Sequence, residues 1–264
     1  MLKVRESVVT GGAVGIGRAI AKRLAETGDR VLILDSNESA LMETVVELRR
    51  QGLHVSGLQL DLLQDRAEQE LERSLETLEF DWLGLVNCAS LRLKVGLESE
   101  TRQSWARQSE LATWVPFALA RSVARIVRER DIEGSILNVT SPLARLVGEH
   151  SPSYHAGKAA LNSTTRYLAV HLPRTGARVT VNAVEPGLII QERHVDRFQS
   201  DASTEWRKLC EAYLPHGVVG TEIDIAEAAV WLLSPAAKFV NGATVVVDGG
   251  GTIQDQLYVS RVGD

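Results

Sequence analysis

Cysteine is scarce: Cys88 and Cys210 are the only two in 264 residues. That rules out a disulfide framework and any cluster of cysteines at metal-ligand spacing, so a reducing cytoplasm is expected and no metal. Long apolar runs are missing too. No stretch approaches the ~20 consecutive apolar residues that a membrane helix needs. The first residues, "MLKVRESVVTGG", hold no apolar signal core, so neither secretion nor a membrane partner is expected. Nor is there surplus positive charge: 29 Lys and Arg stand against 34 Asp and Glu, a formal charge of -5. Nucleic acids and anionic lipid are recognised first through excess cations, so neither is an expected partner. Arg121, Arg125 and Arg128, on one face of a predicted helix, read as solvated or as part of a subunit contact. Repeats, low-complexity tracts and linker-like stretches are absent as well, and one domain over residues 1–264 is expected.

What the chain does have is alternation. Short β-branched runs lie near residues 4–10, 30–35, 53–60, 82–88, 134–140, 178–184 and 243–248, and amphipathic stretches separate them. This pattern predicts an α/β fold: a doubly wound (Rossmann) seven-stranded parallel sheet with helices on both faces. The first crossover helix, "GRAIAKRLAETG", pairs Ile20 with Leu24 and Ala21 with Ala25, and Gly28 stands where a terminating glycine belongs. Ligands of such sheets bind at the carboxyl ends of the strands, so motifs there carry the function. Residues 188–221 fall outside the alternation and read as a substrate lid, with a helix in "STEWRKLCEAYL".

Between the first strand and helix lies "TGGAVGIG", with Gly11, Gly12, Gly15 and Gly17 at the turn. Free N–H groups and the positive end of a helix dipole make such a turn an anion site, suited to a diphosphate. The spacing is not the common G-x-G-x-x-G, because Ile20 takes the place of its last glycine, nor is it a P-loop. Asp35 ends the second strand, 18 residues after Gly17. A carboxylate there accepts both hydroxyls of an adenosine ribose and repels a 2′-phosphate. Neither Val14 nor Ser36 supplies a cation for that phosphate, so NAD is predicted and NADP disfavoured.

Tyr154 and Lys158 are four residues apart on a predicted helix, hence on one face, and Ser141 ends the fifth strand. A tyrosine ionises near pH ~10, too high for a base at neutral pH, but an adjacent ammonium favours the phenolate. Three polar groups can thus meet where a proton is exchanged.

Taken together these segments are identified as those of the short-chain dehydrogenase/reductase family. "TGGAVGIG" matches its Thr-Gly-x-x-x-Gly-x-Gly, "VNCAS" resembles its Asn-Asn-Ala-Gly, and "VNAVEPG" and "FVNGATVVVDGG" resemble its Pro-Gly segment and last strand. The resemblance implies an NAD-dependent oxidoreductase of small-molecule alcohols and carbonyls, assembled as a homotetramer or homodimer. Within it, Tyr154 is the general acid/base, Ser141 orients the substrate oxygen, and Lys158 lowers the Tyr pKa and holds the nicotinamide ribose. The turn Gly11, Ala13, Gly15, Ile16 and Gly17 binds the cofactor, with Asp35 on its ribose and Asp61 and Leu62 at its adenine. Asn87 and Ala89 line the channel, and Pro186, Gly187 and Leu188 face the nicotinamide.

Several positions depart from the family pattern. Cys88 and Ser90 replace an Asn and a Gly, Gln191 stands where many members place Thr, and Ala112 takes the position of a catalytic Asn. In the family that Asn sits at a helix distortion, where its backbone carbonyl holds a water relaying protons to the Lys. Pro116, four residues on, cannot donate to the Ala112 carbonyl, so the distortion is expected here without the Asn. A cofactor-binding protein without turnover, serving as sensor or scaffold, is the alternative that Ala112 raises; an enoyl reductase is disfavoured by the close Tyr–Lys spacing. Leu143, Leu146 and the segment from Leu188 to Leu214 are expected to shape the substrate pocket, while His155 and His194 read as packed or solvated.

Overall fold

A computed structural model describes residues 4–91, 96–190, 208, 210 and 212–254. Seven parallel strands form one sheet: β1 (Arg5–Thr10), β2 (Arg30–Asp35), β3 (Val55–Gln59), β4 (Trp82–Asn87), β5 (Glu133–Val139), β6 (Arg178–Pro186) and β9 (Thr244–Val247), in the order β3-β2-β1-β4-β5-β6-β9. Each expected run became a strand, with ends shifted by a residue or two. The helices are α1 (Gly15–Glu26), α2 (Glu38–Arg50), α3 (Ala67–Glu76), α4 (Arg102–Ser109), α5 (Val115–Glu129), α6 (Pro152–Arg174) and α7 (Glu222–Leu232).

Both faces of the sheet are covered, which is why the central strands are apolar throughout rather than alternating. Neighbouring residues of β1 serve opposite cores. Val8 packs with Leu71, Leu75, Leu119 and Val123 of α3 and α5; Val9 packs with Ile20, Leu24, Ile225 and Leu232 of α1 and α7. Each such side chain contributes roughly 1.5–3 kcal/mol when fully buried. Order reverses between β1 and β4, whose ends pair at Thr10 and Asn87, and a crevice opens there beyond the strands' carboxyl ends.

Helix ends obey local chemistry. Gly28 follows α1 at φ 100°, a left-handed conformation that glycine adopts without steric cost. The Asn37 side chain caps α2 by accepting from the Ala40 N–H, and Ser151 caps α6 by accepting from that of Tyr154, with Pro152 following it.

The expected lid is bracketed by two short strands, β7 (Ile189–Ile190) and β8 (Gly220–Thr221), which pair in parallel. Within "STEWRKLCEAYL", Lys208, Cys210, Ala212 and Tyr213 are helical. Gln191, Arg193, His194 and Trp206 lie outside the described residues. The arginine stripe is exposed, and two of its members pair with acids of the neighbouring helix: Arg121 with Glu68 at 3.1 Å and Arg125 with Glu72 at 2.5 Å, joining α5 to α3. Among the described residues no helix is long and apolar enough to cross a membrane, and no group of His, Cys, Asp and Glu could hold a metal.

Candidate active site

The glycine turn is built by contacts that exclude side chains. A Cβ on Gly12 would lie 2.7 Å from Ile33 Cγ2, one on Gly11 2.8 Å from Ala89 Cα, and one on Gly17 would overlap the Gly11 carbonyl. Gly11 and Gly15 also adopt φ of 64° and 57°. The result brings bare backbone to the start of α1, where Val14 at the N-cap offers no side-chain hydrogen bond. Thr10 ties this turn to the next strand end: its Oγ1 accepts from the Cys88 and Ala89 N–H groups at 3.0 and 3.1 Å.

Asp35 stands beside the turn. Its carboxylate accepts from the Ala13 N–H at 3.1 Å and the Asn37 N–H at 3.0 Å, which fixes its direction at the end of β2. Asp61 is similarly held, accepting from the Leu63 N–H at 3.0 Å.

At the other end of the crevice, the β5 strand runs into Ser141, whose Oγ accepts from the Leu143 N–H at 3.3 Å and starts a short turn. Helix α6 carries Tyr154 and Lys158. The Lys158 Nζ donates to the Val139 carbonyl at 2.8 Å and lies 5.6 Å from the centre of the Tyr154 ring. Burial pushes the Lys158 pKa down to about 8, and the electrostatic interaction with Cys88 opposes the shift. A polar chain registers α6 on the sheet: Asn87 Nδ2 donates to Asn138 Oδ1, and Asn138 Nδ2 donates to Thr165 Oγ1, each at 2.8 Å.

These parts meet in one cleft of about 1150 Å³. Of the expected site residues, Gly11, Ile16, Gly17, Asp35, Asp61, Leu62, Ala89, Ser141, Tyr154, Lys158, Pro186, Gly187 and Leu188 line it. Ala13, Gly15 and Asn87 do not stand on its wall. Ala13 is turned behind the loop, its N–H on Asp35 and its carbonyl accepting from Thr44 Oγ1; Asn87 is spent on the sheet. Leu143 and Leu146 also stay off the wall.

The expected distortion is present as a π turn, Glu110–Trp114, closed by the Val115 N–H on the Glu110 carbonyl. Ala112 lies inside it and Pro116 just beyond, in the first turn of α5.

Comparison with known proteins identifies the family. A family model described as enoyl-(acyl carrier protein) reductase matches residues 11–252. The 3β-hydroxysteroid dehydrogenase 1 of Eggerthella lenta is 30% identical over 256 residues, 96% of this chain and 95% of that protein. This chain belongs to the short-chain dehydrogenase/reductase family.

Glucose 1-dehydrogenase 2 of Bacillus subtilis is 28% identical over 264 residues, covering 98% of this chain and 97% of that protein. A gluconate 5-dehydrogenase from Burkholderia cenocepacia, solved with NADP and tartrate, superposes with a TM-score of 0.82 at 27% identity, over 96% of this chain and 97% of that one. As a short-chain dehydrogenase/reductase, the protein is an oxidoreductase of CH–OH and C=O groups, in a family that binds nicotinamide cofactors.

Residues of this short-chain dehydrogenase/reductase that the motifs did not mark complete the cleft. The His150 ring stands edge-on to Tyr154, centroids 4.7 Å apart, and Arg107, Glu149 and Thr140 also line the wall. Only Thr140, beside Ser141, carried a positional signal; a loop residue such as His150 has no periodicity to betray which side it faces. His155, on the helix, is occupied by backbone: its Nδ1 lies 2.9 Å from the Ser151 carbonyl and its Nε2 accepts from the Gly148 N–H at 3.1 Å.

Proposed function

We propose that this chain is an NAD-dependent dehydrogenase/reductase that interconverts a secondary alcohol and a ketone or aldehyde, with Tyr154 as general acid/base. The observation that carries the reading is the convergence of Ser141, Tyr154 and Lys158 on the cleft that also holds the glycine turn and Asp35. The residues present fit a dinucleotide. The turn leaves no room for a Cβ at Gly11 or Gly17, and the start of α1 has no acid and no side-chain cap, which suits a diphosphate. Bound there, the cofactor supplies the hydride.

The chain's own residues do the rest. Gly11, Ile16 and Gly17 would hold the diphosphate, Asp35 would accept from the ribose hydroxyls, and Asp61 and Leu62 would flank the adenine. Ala89, Pro186, Gly187 and Leu188, which line the cleft, would wall the nicotinamide end. Ser141 Oγ donates to the substrate oxygen. Tyr154 Oη gives that oxygen a proton in reduction and takes it in oxidation. The Lys158 ammonium stabilises the phenolate left behind, and it retains its charge at neutral pH because its depressed pKa, about 8, still lies above 7.

Asp35 and Asp61 at the ribose end, with Lys158 and Arg107 the only Lys or Arg among the described lining residues, support NAD over NADP. The gluconate 5-dehydrogenase solved with NADP makes cofactor choice the point to test. A panel of secondary alcohols and ketones assayed with each cofactor is the experiment. Turnover with NAD is expected; cofactor binding without turnover on any substrate would favour the sensor or scaffold reading that Ala112 raises. A cytoplasmic homo-oligomer accompanies the proposal, supported by a sequence with only two cysteines and by exposed Trp114, Tyr167 and Val170 on the α4–α6 side.

A further inference from the structure

Glu185 is a charged residue in the core. It sits near the end of β6, one residue before Pro186 and Gly187 on the cleft wall, and is 2% exposed. Its carboxylate meets Arg145, whose Nη2 donates to Glu185 Oε1 at 2.8 Å. The same Nη2 donates to Thr252 Oγ1 at 2.7 Å. Thr252 in turn donates from Oγ1 to Asp248 Oδ2 at 2.6 Å, and its N–H goes to the same oxygen at 2.9 Å.

Each member belongs to a segment that touches the catalytic centre. Arg145 closes the turn that Ser141 begins, its N–H on the Pro142 carbonyl at 3.0 Å. Asp248 directly backs Gly187: a Cβ on Gly187 would lie 2.6 Å from Asp248 Cα, and the Gly187 N–H donates to the Val247 carbonyl at 2.9 Å. The turn after Asp248 rests on the end of the lid segment, where Gly251 has room for no side chain beside Leu214, 2.8 Å from its Cβ position. One guanidinium therefore joins the Ser141 turn to the Gly187 wall and to the chain that seats the lid.

Burying a carboxylate is expensive, and a buried ion pair adds little net stability over apolar side chains of equal volume. What it supplies is direction, because each hydrogen bond fixes both partners at a set distance and angle. We propose that Arg145 and Glu185 are positioning residues: they set the distance between the Ser141 turn, which holds the substrate oxygen, and the Pro186–Gly187 wall behind the nicotinamide. This inference rests on the active-site reading above. Neither side chain stands on the cleft wall, so both act through the segments they tie.

The test uses the full chain with Arg145→Gln, Arg145→Lys and Glu185→Gln, read by amide hydrogen exchange without ligand and by steady-state kinetics. In Arg145→Gln, exchange should accelerate in residues 141–147 and 248–254 and stay unchanged in β1 to β4, since opening is local where the tie is local. Its kcat/KM should fall about 10-fold or more, as for a lost charged hydrogen bond, with both kcat and KM moved and cofactor affinity nearly unchanged. Arg145→Lys should recover much of the loss. Should Arg145→Gln fail to fold because Glu185 is left buried and unpaired, the double variant with Glu185→Gln removes that charge and carries the same readouts. Unchanged exchange in both segments, or uniform acceleration with kcat/KM intact, would overturn the proposal. A wild type that never turns over would defeat the catalytic reading, while exchange would still decide whether Arg145 holds the two segments together.

Discussion

Gly157, the residue before Lys158, and Ala112, at the centre of the π turn, approach so closely that a Cβ on Gly157 would lie 2.8 Å from the Cβ of Ala112. The π turn and α6 are therefore set against each other, with no slack for a larger side chain. Pro116 cannot donate to the Ala112 carbonyl and its ring clashes with a regular α-helical turn there. Pro116→Ala should let the segment relax towards an unbroken α-helix and reduce turnover more than cofactor binding. Rate and cofactor affinity measured on one preparation decide it; undiminished turnover would show that the distortion does not depend on the proline.

Asp35 should make NAD the better cofactor, since NADP would lose two hydrogen bonds and add a charge clash, a difference of about 3 kcal/mol or more. Because the same carboxylate holds the Ala13 and Asn37 N–H groups, Asp35→Ala will also loosen the turn. The ratio of kcat/KM for the two cofactors is thus the quantity to compare, and it should narrow in the variant. Equal values on wild type would remove the NAD assignment.

Tyr154→Phe keeps the ring against His150 and deletes the hydroxyl. Activity should drop by at least the ~100-fold typical of a lost general acid/base, with cofactor affinity nearly constant. Retention of most activity would assign the proton to another group.

Lys158 makes a prediction about stability with the sign opposite to its proposed role in catalysis. Burial lowers its pKa from 10.5 to about 8, so between those values the unfolded chain holds a proton that the folded chain has released. Stability from this group therefore rises as pH goes from about 8 to 10.5, and below about 8 its penalty is fully present. Lys158→Met should unfold at higher denaturant than wild type at pH 7 without cofactor, the gap closing towards pH 10.5, while its activity is lost. A variant less stable than wild type at pH 7 would mean that the bond to the Val139 carbonyl outweighs the desolvation.

Glu6 offers a control away from the cleft. It is buried on β1, and burial, opposed by its 3.0 Å pair with Arg30, raises its pKa to about 7. The folded chain then holds a proton that the unfolded chain releases between pH 4.5 and 7, so this group's contribution falls across that window. Glu6→Gln should stabilise the protein more at pH 8 than at pH 5, checked by denaturant midpoints at the two values.

The sequence by itself determined what short-range physics determines. Strand and helix periods reported which faces are apolar, Gly28 ended α1 because left-handed backbone costs a glycine nothing, and Pro116 announced a broken helix because it lacks an N–H. The strand-end positions of Asp35 and Ser141 and the four-residue step from Tyr154 to Lys158 followed from the same rules, which is why the cleft's main groups were legible. Only the tertiary structure decided which groups meet across the sheet. It turned Ala13 and Asn87 behind the wall, brought His150 onto Tyr154, paired Arg125 with Glu72, and closed Arg145 on Glu185 across 40 residues of chain. Such contacts depend on how crossover helices and loops settle on a twisted sheet. No local period records that, because the partners' separation along the chain bears no fixed relation to their distance in space.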